Sequence, residues 1–273
     1  MTPDTHAAVG VGSGRRWRPA PAIRLSILLH SAGAISLALH PALWPWIAAI
    51  LIANHLVLMG AVFSPRGRLL GPNLDRLPTA AVERGEVCLT FDDGPDPEVT
   101  PRVLELLERY QAKASFFCVG ERAEAHPDIV REIVRRGHSV ENHSYRHSRA
   151  FALFGISVMR REVESAQAAV TAITGRAPEF FRAPAGFRSP LLDFVLASAG
   201  LRYVSWTRRG FDAVSRDPAR VLARLTLGLA AGDVLLLHDC APVSLAVLPA
   251  LLDRLAARGL KSVSLPVACS PSS

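Results

Sequence analysis

The stretch VCLTFDDGP at residues 87–95 joins a short apolar run to two adjacent carboxylates. The run from Val87 to Phe91 predicts a buried strand, and Gly-Pro at residues 94–95 predicts the turn that ends it. The carboxylates of Asp92 and Asp93 would then lie at the C-terminal end of that strand. On its own, such a stretch is commonly a solvated turn, because Asp, Gly and Pro are turn residues.

A second stretch, HSYRH at residues 143–147, places two imidazoles four residues apart. One helical turn or a tight loop can aim His143 and His147 at a single point. One Asp and two His form a three-ligand set typical of catalytic zinc, which keeps a fourth position for water or substrate. The two stretches together therefore indicate a metal site in which the second Asp is free to act as a base.

Strand-like and helical runs alternate from residue 86 onward. The strand-like runs are Val87–Phe91, Ala114–Val119, His138–Glu141, Glu179–Arg182, Leu201–Trp206, Asp233–His238 and Lys261–Leu265. Pro lies at the first turn of two of the intervening helices, and Gly lies where several helices should end. This order predicts a parallel sheet or barrel covered by helices, with its chemistry at the C-terminal strand ends.

The N-terminal part contains two apolar runs, Ile23–Leu39 and Trp46–Phe63, each about long enough to cross a bilayer. We predict a membrane hairpin; a cleavable signal peptide is the alternative, because small residues follow Ser31. We therefore divide the chain into a basic tail at 1–21, two transmembrane helices at 22–64, a linker at 65–81, a catalytic domain at 82–268 and a tail at 269–273.

Charge is concentrated beside these apolar runs. Residues 1–80 contain seven Arg and two Asp and therefore carry most of the net charge of +7. The linker between the two apolar runs has no Lys or Arg. The positive-inside rule then places both outer ends of the hairpin, and the catalytic domain, on the cytoplasmic side of a bacterial-type inner membrane. No basic run with interleaved aromatics suggests nucleic-acid binding.

The four cysteines form no C-x-x-C pair. Cys88 and Cys118 fall inside strand-like runs, where a free cysteine behaves as a small apolar residue. Together with Cys240 and Cys269 they predict no disulfide framework, and a single bridge is the alternative.

Two further motifs carry a family resemblance. These are FRAPAG at residues 181–186 and LLLHD at residues 235–239, which follow TFDDGP and HSYRH in the chain. With all four in this order, the chain resembles the polysaccharide deacetylase family, also called the NodB-homology or carbohydrate esterase family 4 group. The resemblance covers residues 82–265 and implies a distorted (β/α) barrel of about seven strands.

The resemblance also implies roles for individual residues. Asp93, His143 and His147 would hold one divalent ion, expected to be zinc. Asp92 would be the general base, oriented by Arg182, and His238 the acid that protonates the leaving amine. The backbone at Pro184 and Ala185 would complete an oxyanion site, and Leu235 would pack near the acetyl methyl.

The fourth family motif, D-x-x-D-W, is matched weakly by RGFDA at residues 209–213. Asp212 keeps the acid that tunes the catalytic His, whereas Arg209 and Ala213 replace the first Asp and the Trp. Glu141 is also unusual, since the family more often has Gly there. Arg208 and Arg209 could contact a phosphate of a lipid carrier, or could simply be solvated at the surface.

The expected function is hydrolysis of the acyl group, most simply acetyl, from an N-acylated amino sugar in a glycan or a lipid-linked saccharide. The partners would be that sugar and the membrane, with no nucleic acid. Two alternatives remain open at this point. One is a deformylase on a lipid-linked sugar, and the other is an inactive sugar-binding membrane protein.

Overall fold

The computed structural model describes residues 15–265 of the 273-residue chain. The predictions for residues 1–14 of the basic tail, for Cys269 and for the C-terminal residues 266–273 lie outside the described residues. Among the described cysteines, Cys88 and Cys118 are free and buried, as predicted, and Cys240 is free and half-buried.

Two long helices precede the sheet. Helix α1 spans Pro21–Leu39 and α2 spans Trp44–Val62, and the 3-10 turn Pro41–Leu43 joins them. Both are long and apolar enough to cross a membrane. Core helices of soluble proteins meet the same criterion of length and composition, but α1 has no buried residue and α2 buries only Val62.

The sheet is a curled half-barrel of parallel strands, which confirms the predicted α/β fold. Its order is β5-β4-β3-β2-β1-β7-β6, and β8 pairs with the start of β1. The strands are β1 Glu86–Asp92, β2 Ala114–Cys118, β3 Ser139–Asn142, β4 Phe180–Phe181, β5 Arg202–Tyr203, β6 Arg208–Arg209, β7 Val234–His238 and β8 Lys261–Ser262. Each of the seven predicted runs overlaps a strand, and β6 is an addition.

Strand β1 shows why the sheet forms here. Val87, Leu89 and Phe91 project into the main apolar core, whereas Cys88 packs in a separate cluster on the other face. Both faces are buried, as expected for a central parallel strand. The covering helices are α3 Thr79–Glu83, α4 Val99–Arg109, α5 Gly120–Ala125, α6 Pro127–Arg135, α7 Ile156–Thr174, α8 Leu192–Ser198, α9 Pro218–Thr226 and α10 Pro242–Ala257.

The segment that follows the hairpin packs against the half-barrel. The backbone of Leu74 hydrogen-bonds on both sides, donating to Tyr203 O at 3.1 Å and accepting from Ser205 N at 3.0 Å. Three residues later, Leu77 N donates to Gly232 O at 2.8 Å. Residues 74–77 therefore span the opening between β5 and the start of β7, a role that the sequence, which indicates only a linker, does not reveal.

Candidate metal and catalytic site

The C-terminal ends of β1 and β7 meet at the floor of a cavity of about 1110 Å³. The parallel register pairs Asp92 with His238, so the two side chains lie at the same level on neighbouring strands. Seven predicted side chains come together around this floor: Asp92, Asp93, His143, His147, Arg182, Asp212 and His238. This edge of a parallel sheet is where ligands generally bind in such folds.

Asp93, His143 and His147 converge within one small volume. Asp93 Oδ1 lies 3.2 Å from His143 Nε2 and 3.0 Å from His147 Nε2. All three candidate ligand atoms lie within 4.8 Å of one another. Burial raises the pKa of Asp93, but the hydrogen bonds and charges of the two histidines outweigh burial, and the net pKa is well below its ordinary value.

The tautomer of His143 follows from its second nitrogen. Nδ1 lies 2.9 Å from the backbone oxygen of Arg182, and a carbonyl oxygen only accepts, so Nδ1 carries the hydrogen. Nε2, which faces Asp93, is then the nitrogen that a neutral ring offers to a metal ion. A carboxylate oxygen and two imidazole nitrogens, one of them oriented from behind by a carbonyl, fit a divalent ion such as zinc.

Asp92 faces a different partner from its neighbour. Arg182 Nη1 donates to Asp92 Oδ1 at 2.6 Å and to Thr90 Oγ1 at 2.8 Å. The guanidinium is fully buried, stacks 4.1 Å from the centre of the Phe117 ring and donates through Nη2 to Ser205 O. A buried charge held by this many contacts fixes the direction in which the Asp92 carboxylate points.

His238 is held by Asp212 through both its ring and its backbone. Its Nδ1 lies 2.9 Å from Asp212 Oδ1, and its backbone N–H donates to Oδ2 at 2.6 Å. Ser244 Oγ donates to the same Oδ2 at 2.6 Å. Burial lowers the pKa of His238, but the hydrogen bond and charge of Asp212 reverse that effect, so the net pKa is raised.

Backbone strain is concentrated at this site. Within residues 15–265, six non-glycine residues have a positive φ, and five of them belong to the site or its loops: Asp93, Ser144, His147, Ala185 and Phe211. Such conformations cost about 1–3 kcal/mol each and persist where the surrounding structure imposes them. The cluster therefore points to a geometry shaped for function.

The predicted substrate-binding residues separate into two groups. Ala185 lines the cavity with φ of 56°, on a 3-10 turn, and Pro184 is buried beneath it. Leu235 is not among the residues that line the cavity, so the structure gives no support to its predicted contact with an acetyl group. It points into the main core, because side chains alternate along β7, and Leu236 lines the cavity on the same side of the strand as His238.

The two adjacent arginines of β6 also face opposite ways. Arg208 donates to Asp233 Oδ2 at 3.0 Å and to the backbone oxygens of Leu227 and Gly228. These contacts engage all three nitrogens of the Arg208 guanidinium and give no support to its suggested contact with the phosphate of a lipid carrier. Arg209 lines the cavity instead.

Comparisons with known proteins agree with this geometry. A family model described as polysaccharide deacetylase matches residues 79–204. The chitooligosaccharide deacetylase of Sinorhizobium fredii is 33% identical over 181 residues, covering 63% of this chain and 81% of that protein. The chain belongs to the polysaccharide deacetylase family.

Two further relatives support the assignment. A peptidoglycan-N-acetylglucosamine deacetylase of Bacillus cereus is 41% identical over 103 residues, covering 38% of this chain and 37% of that protein. A solved family 4 carbohydrate esterase from Streptomyces lividans, in complex with acetate, is 34% identical with a TM-score of 0.62. That alignment covers 65% of this chain and 91% of the esterase.

As a polysaccharide deacetylase family member, the protein is a hydrolase of amide carbon–nitrogen bonds. Deacetylases of this family depend on a metal, and Asp93, His143 and His147 are a group in the described part of the chain that could hold one. The inactive sugar-binding alternative receives no support from the site, since all the side chains predicted as acid, base and metal ligands are present around one cavity.

Two buried acids, to which the sequence analysis gave no role, hold in place the strands and loops that carry this polysaccharide deacetylase site. Glu141 Oε2 accepts from the backbone N–H groups of Glu179 and Phe180 at 3.0 and 2.9 Å, which ties β3 to β4. Asp239 accepts from Thr100 Oγ1 at 2.6 Å. Its carboxylate lies so close to Gly94 that a Cβ there would overlap it, which explains why glycine follows the two aspartates.

Proposed function

We propose that the protein is a membrane-anchored, metal-dependent deacetylase that removes the acetyl group from an N-acetylglucosamine-containing saccharide. The observation that carries the proposal is the convergence of Asp93, His143 and His147 within 4.8 Å, beside Asp92 and His238. The names of the curated relatives support the choice of N-acetylated amino sugars.

Zinc is the proposed ion, held by Asp93, His143 and His147. When bound, such an ion lowers the pKa of its water to about 7 and polarises the acyl carbonyl. Asp92 is the proposed general base, because the buried Arg182 holds its carboxylate in one orientation facing the cavity. The proton of the attacking water passes to Asp92 as the amide carbon becomes tetrahedral.

Breakdown of the tetrahedral carbon requires a proton for the leaving amine. His238 is the proposed donor, because Asp212 raises its pKa and so favours the protonated imidazole. The acyl group leaves as the carboxylic acid, and the sugar keeps a free amine. The backbone at Ala185 is the proposed donor to the developing oxyanion, since this residue is held in a left-handed conformation at the cavity wall.

The hairpin is the proposed membrane anchor, with both outer ends in the cytoplasm. Its helices leave most apolar side chains exposed, and the two contact each other through Asn54, which donates to Ser26 Oγ at 2.9 Å. The ring of Phe63, next to the end of α2, packs edge-on against Phe187, which lines the catalytic cavity. An anchor ending beside the cavity suits a saccharide carried on a membrane lipid.

The test combines metal content with product formation. The purified full-length protein is expected to hold about one zinc per chain and to release amine from N-acetylated chitooligosaccharides. His147→Ala is expected to lose both properties, because it removes one of three ligands. Turnover of an N-formylated sugar with no turnover of its N-acetyl counterpart would replace deacetylase with deformylase. Full metal and activity in His147→Ala would refute the ligand set.

A further inference from the structure

Arg209 is the one arginine of β6 that faces the catalytic cavity, and its guanidinium has no acid to pair with. Among the described residues it makes neither a hydrogen bond nor an ion pair, and its Nε is buried without a partner. The guanidinium lies 5.0 Å from the centre of the Trp206 ring and 4.8 Å from that of Phe211. Two aromatic rings thus hold a planar cation whose donors remain available.

The charges of the cavity acids Asp92, Asp212 and Asp93 attract Arg209, but none of these acids forms an ion pair with it. Asp92 is paired with Arg182, and Asp212 is hydrogen-bonded to His238 and Ser244. Asp93 belongs to the ligand set with its two histidines. These three are the acidic side chains that line the cavity, and each has its own partners.

The entrance carries further positive charge. Arg149 and Arg216 also line the cavity, both are exposed, and within residues 15–265 neither forms an ion pair. Three arginines without acidic partners therefore surround a cavity whose carboxylates are already engaged. A neutral sugar gives a guanidinium no opposite charge, whereas a phosphate or carboxylate matches it with paired hydrogen bonds.

We propose that Arg209 binds an anionic group that the substrate carries on the amino sugar being deacetylated, with Arg149 and Arg216 attracting it at the entrance. This inference rests on the proposed function and narrows its substrate to acidic amino sugars. The two sources of such an anion are a phosphate ester on the anomeric carbon and a carboxylate on an ether substituent of the ring.

Matched substrates that differ in charge test the proposal. N-acetylglucosamine 1-phosphate is compared with the methyl glycoside of N-acetylglucosamine, and N-acetylmuramic acid with its methyl ester. For the zinc-loaded, full-length protein, kcat/KM is expected to favour the charged member of at least one pair by about tenfold or more. The pair that shows the preference identifies phosphate or carboxylate as the anion.

Variants of Arg209 test whether this residue causes the preference for the charged substrate. Arg209→Gln is expected to reduce the charged-to-neutral ratio of kcat/KM at least tenfold, with Arg209→Lys restoring part of it. Arg220→Gln is the matched control, because it removes the same charge from an exposed side chain outside the cavity lining. Equal kcat/KM for both members of each pair in the unmodified protein, which needs no variant, overturns the proposal. So does an unchanged ratio in Arg209→Gln.

Failure of the proposed function would look different. If no substrate releases amine, calorimetric binding of glucosamine 1-phosphate and muramic acid still measures anion recognition. Weaker binding to Arg209→Gln than to Arg220→Gln would then support the anion site while the deacetylase assignment fails. Equal binding to the two variants would overturn the anion site as well.

Discussion

Asp92 and Asp93 are neighbours in sequence, yet their side chains contact different partners. Asp92 accepts from the buried Arg182, whereas Asp93 lies against the two histidines. A left-handed backbone at Asp93, with φ of 72°, turns its side chain away from the strand direction. One peptide unit thus separates a proposed base from a proposed ligand.

The first prediction follows from this division. Asp92→Asn is expected to keep zinc but to lower turnover by about 10²–10⁴-fold, the range for a positioned general base. Asp93→Asn is expected to lose zinc, and Asn tolerates the left-handed backbone there, so folding is a smaller concern. Metal analysis and amine release measure both effects. Equal metal loss in the two variants would contradict the prediction.

The second prediction concerns the pH dependence of turnover. A general acid must be protonated, so activity should fall as pH rises through the pKa of His238. Asp212 raises that pKa, and Asp212→Asn should therefore shift the alkaline limb of the kcat profile to lower pH. Ser244→Ala, which leaves the carboxylate in place, should shift it less. An unmoved limb in Asp212→Asn would show that His238 is not the titrating acid.

At the residue scale, the sequence predicted which side chains come together at the site. It did not predict which of two neighbouring side chains on a strand faces the cavity. Leu235 and Leu236 are the same residue type, and only the alternation of side chains along β7 decides that Leu235 lies in the core and Leu236 lines the cavity. Arg208 and Arg209 differ for the same reason on β6. The phase of β7 follows from its predicted strand once His238 is placed at the cavity, whereas the phase of β6 cannot be derived because no strand was predicted there.

The prediction of secondary-structure elements from the sequence has a similar limit. The long strands β1, β2 and β7 were predicted within one residue at each end, because their apolar runs are buried on both faces. Strands β4, β5 and β8 contain only two residues each, shorter than the runs that predicted them. Strand β6 consists of two arginines and has no apolar signal.

His138, directly before β3, gives a prediction at the level of elements. Its Nδ1 accepts from Ala114 N at the start of β2, at 3.2 Å. Burial, with the charges of Lys113 and Arg136, lowers the pKa of His138 to about 4, from an ordinary value of 6.5. Since the unfolded chain binds this proton more readily, stability is present above pH 6.5 and is lost as pH falls towards 4.

Between pH 7.5 and pH 5 this single group should cost the folded protein about 2 kcal/mol of unfolding free energy. In His138→Asn, whose amide oxygen can accept the same N–H, that component should be absent. Urea unfolding at the two pH values measures the difference. An equal pH-dependent loss in both proteins would mean that His138 is not the source.

At the scale of the whole molecule, the hairpin and the tail residues just before it contact the half-barrel. Arg15 pairs with Asp193, Trp17 packs edge-on against Phe194 with ring centres 5.0 Å apart, and Phe63 meets Phe187. The sequence predicted both apolar helices from length and composition. It could not predict their docking, because these contacts join residues more than a hundred positions apart.

The proposed orientation gives the last prediction. Both outer ends of the hairpin carry the arginines, so a reporter fused after Ser273 should lie in the cytoplasm. A fluorescent protein that folds only in the cytoplasm is expected to be bright there, and alkaline phosphatase is expected to be inactive. The reverse pattern would place the catalytic domain outside and remove access to cytoplasmic lipid-linked sugars.

Residues 74–77 give a practical limit on how the protein can be shortened. Because this segment hydrogen-bonds to Tyr203, Ser205 and Gly232, cutting the chain at the family-like boundary near residue 82 would uncover the edge of β5. An uncovered edge offers free N–H and C=O groups to other copies, which promotes aggregation. A version without the hairpin should therefore begin close to Pro65, so that the opening stays covered by its own chain.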